Sequence, residues 1–433
     1  MDSSPGIRGS LTALGRAGLA VTAATAAANL LAYLPPALGA RRLAPADLGA
    51  LAAALALVAI ATMPGIGLQT AVAVAVARAG GKAAATRASG PGSVARQAWL
   101  TALMCGGVVL LAAPVLAVSL RLPVGVPPML AAMTVPAVLA GWPLGVLQGG
   151  ERFGRLAVGT VALAFGRYAG VLVGLVAGLG LTGTFALGAL AAWLVPPTLS
   201  WLLRANGTAS LATALPDAET PGIEAAGVTS SATEAAPGAL RGRAVFAAAS
   251  ASLAILVASY ADLILARRLL PPGESGAYAV GAVLTRAAIW GPQVVTIVAL
   301  PRLVRGGAAL RVGLALVVAA GAALVGGAAV AGDLLVRAVG GDGYARIGEL
   351  APYFVLVGAL YAVTVFFINA LIADRARRPA VGVWAVVAGL AIVAAIVRPG
   401  TVGELLACAV GAAAASALVT GAAVWRRKRP ALA

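Results

Sequence analysis

Long apolar stretches alternate with short polar segments along this chain of 433 residues. A helix that crosses a bilayer needs about 20 consecutive apolar residues. By this measure we predict spans at residues 17–39, 49–77, 97–120, 128–149, 157–179, 183–203, 244–266, 277–300, 308–331, 350–373, 379–397 and 402–424. The connecting segments are short except for 205–241, which is rich in Ala, Thr, Ser and Glu and is typical of a flexible linker.

Composition supports a membrane protein. Hydrophobic residues make up 61% of the chain and charged residues 10%, with a mean hydropathy of +0.98. Soluble domains have about 45–50% apolar and about 25% charged residues. We therefore predict an all-α polytopic membrane protein with about 12 transmembrane helices.

The net charge of +17 orients the chain and does not indicate a nucleic-acid partner. If the N-terminus is cytoplasmic, most of the 31 Lys and Arg residues fall in cytoplasmic segments. This bias is the positive-inside pattern, and an even number of spans leaves both termini in the cytoplasm. The abundance of Arg and Ala is typical of GC-rich bacterial genomes, so we predict a bacterial cytoplasmic membrane.

A short phrase occurs twice. Residues 40–43 and 266–269 both read Ala-Arg-Arg-Leu, and each is followed by a proline, an acidic residue and a glycine. The pattern around Glu151 likewise returns around Asp374. Internal copies on this scale indicate two related halves. The doubled phrase would form the outer turn after the first span of each half, its arginines lying at the outer mouth or anchored to lipid headgroups.

We predict an N-terminal six-helix bundle at 1–204, a cytoplasmic linker at 205–241 and a C-terminal six-helix bundle at 242–433. An even number of spans gives both halves the same orientation, the parallel type of transporter repeat. In such folds the substrate site lies around a central cavity between the halves, beside interrupted helices.

Corresponding helix breaks are predicted in the second span of each half. One break is at Pro64 and Gly65 and the other at Gly291 and Pro292. Proline removes a backbone hydrogen bond of the helix. At membrane depth the freed carbonyl needs a hydrogen-bond donor, either from the protein or from water in a cavity. The neighbouring amides Gln69 and Gln293 are therefore candidate cavity residues. The alternative is an ordinary proline kink.

Three charged residues fall inside the predicted spans and away from the first and last few positions: Arg167, Asp262 and Arg286. Each is costly in contact with lipid, so each should face a cavity or a partner. Arg167 lies about 17 Å deep, near the midplane. The two arginines are candidates for holding a phosphate or diphosphate, which suits guanidinium geometry. The alternative is a structural ion pair between Asp262 and Arg286.

Further polar residues line one face of a first span. Asn29 shares a face with Thr22 and Thr25, and it is a further candidate for the cavity wall. Hydrogen bonding between helices is the alternative role for this stripe.

Several chemistries have no residues to support them. The chain has no histidine, which removes His-based catalysis and His metal sites. No CxxC or Walker-type sequence occurs. We therefore predict no enzyme activity, no cofactor and no metal, although a membrane-embedded scaffold or enzyme of surface-polymer synthesis remains an alternative class.

Several segments have a familiar order. "ARRLAPADLGALAAALAL" is followed by "GIGLQTAVAVAVAR", by "LQGGERFGRLA" at the end of the fourth span, and by a fifth span with the internal Arg167. This order resembles the bacterial polysaccharide flippases of the multidrug/oligosaccharidyl-lipid/polysaccharide (MOP) exporter superfamily. The segment "YADLILARRLLPPGESGAYAVGAVLTRAAIWGPQVV" resembles the corresponding part of their second half.

The resemblance implies two six-helix bundles in a V around a cationic cavity. It implies alternating-access transfer of a polyprenyl-diphosphate-linked oligosaccharide across the membrane, with Arg167 and Arg286 as the natural diphosphate ligands. Membrane lipid, a polysaccharide polymerase and glycosyltransferases are the implied partners. The alternative within the superfamily is a multidrug or other small-molecule antiporter, which the absence of an acidic cluster in span 1 disfavours. A major facilitator fold is a further alternative, although its charged loop after span 2 is missing.

Overall fold

The computed structural model describes residues 5–78, 92–204, 242–303, 307–374, 376 and 378–428, and within these residues it is helical and has no strand. The first-half helices are α1 (Pro5–Arg42), α2 (Pro45–Ala61), α3 (Met63–Arg78), α4 (Ser93–Leu111), α5 (Ala113–Ser119), α6 (Val126–Leu139), α7 (Gly141–Gly149), α8 (Phe153–Val176), α9 (Gly180–Ala192) and α10 (Val195–Arg204). The second-half helices are α11 (Gly242–Leu269), α12 (Pro272–Leu303), α13 (Gly307–Gly340), α14 (Ala351–Ala373), α15 (Val381–Val397) and α16 (Val402–Lys428), with a 3₁₀ segment at Asp342–Leu350.

The predicted spans coincide with these helices. Among the described residues, ten helical stretches are long and apolar enough to cross a membrane. The remaining two predicted spans, 277–300 and 379–397, lie in α12 and in the shorter apolar helix α15. The prediction of an all-α polytopic membrane protein is confirmed.

Four spans are each built from two consecutive helices. The pairs are α2 with α3, α4 with α5, α6 with α7, and α9 with α10. A fifth irregularity is in α13, where Ala331 has non-helical angles (φ −112°, ψ 17°). The predicted span ended at this residue, but the helix continues beyond the kink to Gly340.

By contact the described chain forms two compact units. Unit 1 holds the described residues within 1–35, 61–114 and 123–233, and unit 2 holds those within 36–60, 115–122 and 234–433. Two first-half segments, 36–60 and 115–122, thus belong to the unit that holds the second half. The predicted linker 205–241 lies outside the described residues. The proposed bundles 1–204 and 242–433 stay a prediction.

In unit 1, helix α7 packs closely against α3 through glycines four residues apart. A Cβ atom on Gly145 would lie 2.8 Å from the Val72 Cβ, and one on Gly149 would lie 2.9 Å from the Val76 Cβ. Small residues at this spacing let two membrane helices approach closely enough for extensive van der Waals contact. The same close packing brings the polar residues of α3 and α7 together.

In unit 2, the two copies of the doubled phrase pack against each other at the starts of α2 and α12. A Cβ atom on Gly276 would lie 2.8 Å from the Pro45 Cα, and one on Gly49 would lie 3.1 Å from the carbonyl carbon of Ser275. Side chains at either glycine would therefore separate the two helix starts.

Arg267, the first arginine of the second copy of the phrase, joins its own helix to two other chain segments of unit 2. Its Nε donates to the Leu120 oxygen at 2.7 Å, its Nη1 to the Ala46 oxygen at 2.9 Å, and its Nη2 to the Arg121 oxygen at 2.8 Å. The residue is only 5% exposed. Arg267 is therefore neither at an open mouth nor anchored to headgroups, because carbonyl groups from separate segments satisfy the guanidinium inside the protein.

Candidate functional site

Arg167 lies in α8 of unit 1, inside a membrane span. Its Nη2 donates a hydrogen bond to the Thr62 hydroxyl. Its Nε is buried and has no hydrogen-bond partner among the described residues. The guanidinium carbon also lies 5.9 Å from the centre of the Tyr168 ring. Arg167 thus keeps a cationic group with an unused donor at membrane depth.

A small cavity adjoins Arg167 on the inside of unit 1. Apart from the arginine, the side chains that line it are apolar: Met133, Ala137, Leu163, Ala192 and Val195. A charge beside apolar walls interacts more strongly with an opposite charge than it would in water, because the local dielectric constant is lower.

The second span is interrupted next to the predicted break. Helix α2 ends at Ala61 and α3 begins at Met63, so Thr62 is the single residue that links the two helices. The Gly65 amide donates to the Thr62 oxygen at 3.0 Å. Pro64 is exposed and Gly65 is buried. The interruption therefore places the Thr62 hydroxyl where Arg167 reaches it.

Gln69 is held by a residue that the sequence analysis did not select. Its Nε2 donates to the Gln148 Oε1 at 2.9 Å, which joins α3 to α7. Asn29 is half-buried in α1 of the same unit. For Gln69 the structure therefore shows an interhelical hydrogen bond, which is the role given above as the alternative for the stripe that contains Asn29. The cavity roles of Gln69 and Asn29 stay predictions.

In unit 2, Asp262 is buried at 3% exposure and is hydrogen-bonded. The Tyr278 hydroxyl donates to its Oδ2 at 2.8 Å, and the Leu263 amide donates to its Oδ1 at 2.8 Å. Tyr278 packs edge-on against the Phe354 ring, with ring centres 5.1 Å apart. The carboxylate is thus fixed in a largely apolar core by a phenol from the next helix.

Arg286 lies over an aromatic ring. Its guanidinium carbon is 4.2 Å from the centre of the Tyr260 ring, within the range of a cation–π interaction. Its Nε and Nη2 are buried and have no hydrogen-bond partner among the described residues. The charges of Arg286 and Asp262 interact electrostatically. The hydrogen bonds to Asp262 described above come from Tyr278 and Leu263, and the Arg286 guanidinium stacks on the Tyr260 ring. The pairing of Asp262 with Arg286 stays a prediction.

The second predicted helix break does not occur as an interruption. Helix α12 runs from Pro272 to Leu303 through Gly291 and Pro292. A proline removes one backbone hydrogen bond, and a membrane helix can continue past it when its neighbours compensate. The side chain of Gln293 lies outside the described part of the structure, so its role stays a prediction.

The loop between α7 and α8 carries the predicted cytoplasmic charges of the fourth span. Burial and then the positive charge of Arg155 lower the pKa of Arg152 below its ordinary value. The Arg155 Nη1 donates to the Leu202 oxygen at 3.3 Å, which ties the start of α8 to α10. Glu151 has a positive φ of 55° in this turn.

Tyr278, Gln148 and Thr62 were not predicted as site residues, although the sequence pattern could have indicated the first two. Tyr278 stands close to the start of the helix that follows Asp262, so a helical hairpin brings the two to similar depth. Gln148, a polar residue in the predicted fourth span, could also have been selected. Thr62 offered no signal of its own, since threonine is common in membrane helices. Within the described residues no group of three or more His, Cys, Asp or Glu residues gathers into a metal site.

Comparison with known proteins identifies the fold. No protein-family model matches the chain, and no curated protein matches its sequence. Solved structures do match. A lipid II flippase, MurJ, in an inward closed conformation has a TM-score of 0.63 at 11% identity, over 94% of this chain and 87% of that one. An inward-facing multidrug resistance MATE transporter of the MOP superfamily has a TM-score of 0.61 at 14% identity, over 92% and 93% of the two chains.

A third similar structure is a MOP superfamily transporter from Pyrococcus furiosus, described as having a binding pocket of reversed polarity. It has a TM-score of 0.53 at 12% identity, over 99% of this chain and 98% of that one. The chain therefore has the fold of MOP superfamily transporters and is a multi-pass membrane protein.

Proposed function

We propose that this protein is a MOP-type flippase that moves a polyprenyl-diphosphate-linked oligosaccharide across the bacterial cytoplasmic membrane. Transport by alternating access would serve surface polysaccharide biosynthesis. The observation that carries the proposal is Arg167, a guanidinium inside a membrane span whose Nε is buried without a partner among the described residues. The fold shared with a lipid II flippase supports a lipid-linked substrate.

The chemistry of the diphosphate explains why an arginine would hold it. A diphosphate offers several oxygen acceptors and at least two negative charges. Guanidinium is planar, stays charged, and donates two parallel hydrogen bonds to such a group. The Arg167 Nε is buried, and at such a position this attraction is stronger than at the protein surface.

Arg286 is the proposed second anion ligand. Its Nε and Nη2 are buried and unpartnered within the described residues, so two donors are available for phosphate oxygens. The Tyr260 ring holds the guanidinium from one side. Asn29, Gln69 and Gln293 remain candidates for contacts with the sugar or headgroup.

Orientation and partners complete the proposal. We infer from the charge bias that both termini are cytoplasmic. A polymerase and glycosyltransferases of the same polysaccharide would act on the substrate after and before transport. The protein itself would carry out no covalent chemistry.

A second candidate function is a multidrug or small-molecule antiporter of the same superfamily. One observation favours it: Asp262 is a buried carboxylate inside a span, and ion-coupled antiport needs a titratable or ion-binding group in the membrane. MATE transporters are also among the similar structures.

The two functions separate in proteoliposomes. A fluorescent polyprenyl-diphosphate saccharide in the bilayer, quenched from one side, reports flipping. We expect wild-type protein to equilibrate the lipid, Arg167→Ala to slow this by at least about tenfold, as for loss of hydrogen bonds to a charged group, and Arg167→Lys to be intermediate. Arg268→Ala, which changes an exposed outer arginine, is the matched control.

Full flipping by both Arg167 variants would remove Arg167 from the mechanism. No flipping by the wild-type protein, together with cation efflux driven by an ion gradient, would instead establish the antiporter.

A further inference from the structure

One end of unit 2 brings three chain segments together. A buried apolar cluster joins the start of α13, the end of α14 and the end of α16, and its members include Leu310, Leu371 and Val424. Ala376, in the segment after α14, packs against the same cluster. Because one core holds these segments, the polar residues that flank them lie at the same end of the unit.

Exposed charged residues flank this core, four of them basic and one acidic: Arg311, Arg378, Arg426, Arg427 and Asp374. We call the four arginines the basic end of unit 2. The Arg427 Nη2 donates to the Asp374 backbone oxygen at 3.1 Å, which ties the end of α16 to the end of α14. The ion pairs among the described residues of unit 2 involve other arginines, so the basic end keeps an excess of positive charge.

The sequence increases this excess. Residues 374–378 and 426–429 contain Asp374 as their single acid and include further basic residues beyond those of the basic end: Arg375, Arg377, Lys428 and Arg429. Clusters of about four to eight basic residues beside a membrane helix are typical of sites for anionic lipid headgroups. Each such residue near the bilayer surface is worth about fivefold in affinity.

Helix α16 also presents an exposed apolar strip that leads to these arginines. Leu418 is 72% exposed and Trp425 is 43% exposed. They are seven residues apart, so they lie on one face of the helix with about 10 Å between them along its axis. Ala422 between them is exposed as well. Because tryptophan is enriched at the boundary between acyl chains and headgroups, the strip reaches headgroup level beside Arg426.

We propose that the basic end of unit 2 is a binding site for an anionic phospholipid of the bilayer. The headgroup phosphate would bind among the arginines. One acyl chain would lie along the strip from Trp425 to Leu418. This inference concerns unit 2 alone and does not depend on the transport function proposed above.

Two features favour a phospholipid over a free phosphate ion. The arginines are exposed, so salt in the surrounding water would screen their attraction for a free ion. A lipid adds apolar contact along Leu418 and Trp425, and the bilayer already confines it to the layer where the strip ends. The bond from Arg427 to the end of α14 explains that arginine as a helix cap, but it does not explain Arg378 and Arg426.

The test measures lipid contact at Trp425 in the full-length protein reconstituted into bilayers. Brominated lipids quench the fluorescence of a tryptophan that they touch. Since the chain has seven tryptophans, the Trp425 signal is the difference between each protein and the same protein carrying Trp425→Phe. Mixtures of phosphatidylglycerol and phosphatidylcholine, with one or the other brominated, give the relative association constant of the anionic lipid at this position.

The test variant combines Arg378→Gln with Arg426→Gln. The matched control combines Arg268→Gln with Arg398→Gln, which removes the same charge from exposed positions. Arg378 precedes α15 and Arg398 follows it, so this helix of 17 residues, about 25 Å long, separates them. The start of α12 packs on the start of α14, so the turn that holds Arg268 is also remote from the basic end.

We expect phosphatidylglycerol to associate at Trp425 at least about tenfold more strongly than phosphatidylcholine, in the wild type and in the control. In the test variant this preference should weaken by at least about fivefold, the effect of one arginine near the surface. The wild-type preference should also fall as the ionic strength is raised, because salt screens exposed charges.

Several outcomes would overturn the proposal. Equal association of the two lipids with the wild type would show that Trp425 borders no anionic lipid site. An unchanged preference in the test variant, or an equal loss in the control, would show that Arg378 and Arg426 do not form the site. Displacement of the lipid by inorganic phosphate at constant ionic strength would indicate a site for free anions instead.

Discussion

Arg267→Ala should destabilise unit 2 severely. The side chain donates three hydrogen bonds of 2.7–2.9 Å to carbonyl oxygens of three residues, and it is 5% exposed. A hydrogen bond to a charged group is worth about 1.5–3 kcal/mol, and burying the guanidinium offsets part of the sum. We therefore expect a net loss of about 3–5 kcal/mol.

The assay is thermal unfolding of the purified protein in detergent. For units of this size about 1 kcal/mol shifts the Tm by about 2–4 °C. The Arg267→Ala variant should thus unfold at least about 6 °C below the wild type. Arg267→Lys should recover less than half of the loss, because an ammonium group cannot present a planar fork of donors to three carbonyls.

Two neighbouring arginines supply the controls. Arg268 is exposed, and its replacement by alanine should leave the Tm within about 1 °C. Arg41, the repeat equivalent of Arg267, is also exposed and donates to the Ala338 oxygen at 2.8 Å. Its loss should cost less than about 1 kcal/mol, as for other exposed polar contacts. If Arg267→Ala unfolds within 2 °C of Arg268→Ala, the three bonds do not hold unit 2 together.

Two further predictions concern unit 1. Gly145→Ala places a Cβ 2.5 Å from the Gln69 backbone oxygen and should cost about 1–3 kcal/mol in thermal unfolding. Gly107→Ala, whose Cβ would have no described atom within 4 Å, is the control and should not lower the Tm. Equal Tm values for the two variants would contradict the close packing. A double-mutant cycle of Gln69→Leu and Gln148→Leu should give a coupling free energy of unfolding of about 0.6–1.7 kcal/mol. A coupling of zero would show that the hydrogen bond between the two side-chain amides does not stabilise the protein.

The helices were predictable because the bilayer imposes one length and one composition on every span. The partners of the polar groups were not. Arg267 and Leu120 are 147 residues apart, Arg167 and Thr62 are 105 apart, and no periodicity of a single helix reports such pairs. Asp262 and Tyr278 are 16 residues apart across one turn, and hairpin geometry could have paired them.

The continuous α12 shows a second limit. Glycine next to proline occurs in the second span of both halves, yet only the first is interrupted. A proline removes one donor wherever it stands, but the helix ends only where other groups satisfy the freed backbone better than a kinked helix does. The sequence therefore shows where a backbone donor is missing, but it does not show which neighbouring groups satisfy the freed carbonyl.

The doubled phrase shows how a repeat can acquire two different roles. Arg41 and Arg267 occupy the same position of the same phrase, but the first is exposed with one carbonyl partner and the second is buried with three. Burial of a guanidinium is favourable only where several carbonyls converge on it, since each unsatisfied donor is costly. The segments that supply those carbonyls, 36–60 and 115–122, come from the first half and belong by contact to unit 2. One position of the phrase thus makes a single exposed contact in the first copy and a buried connection between segments of unit 2 in the second.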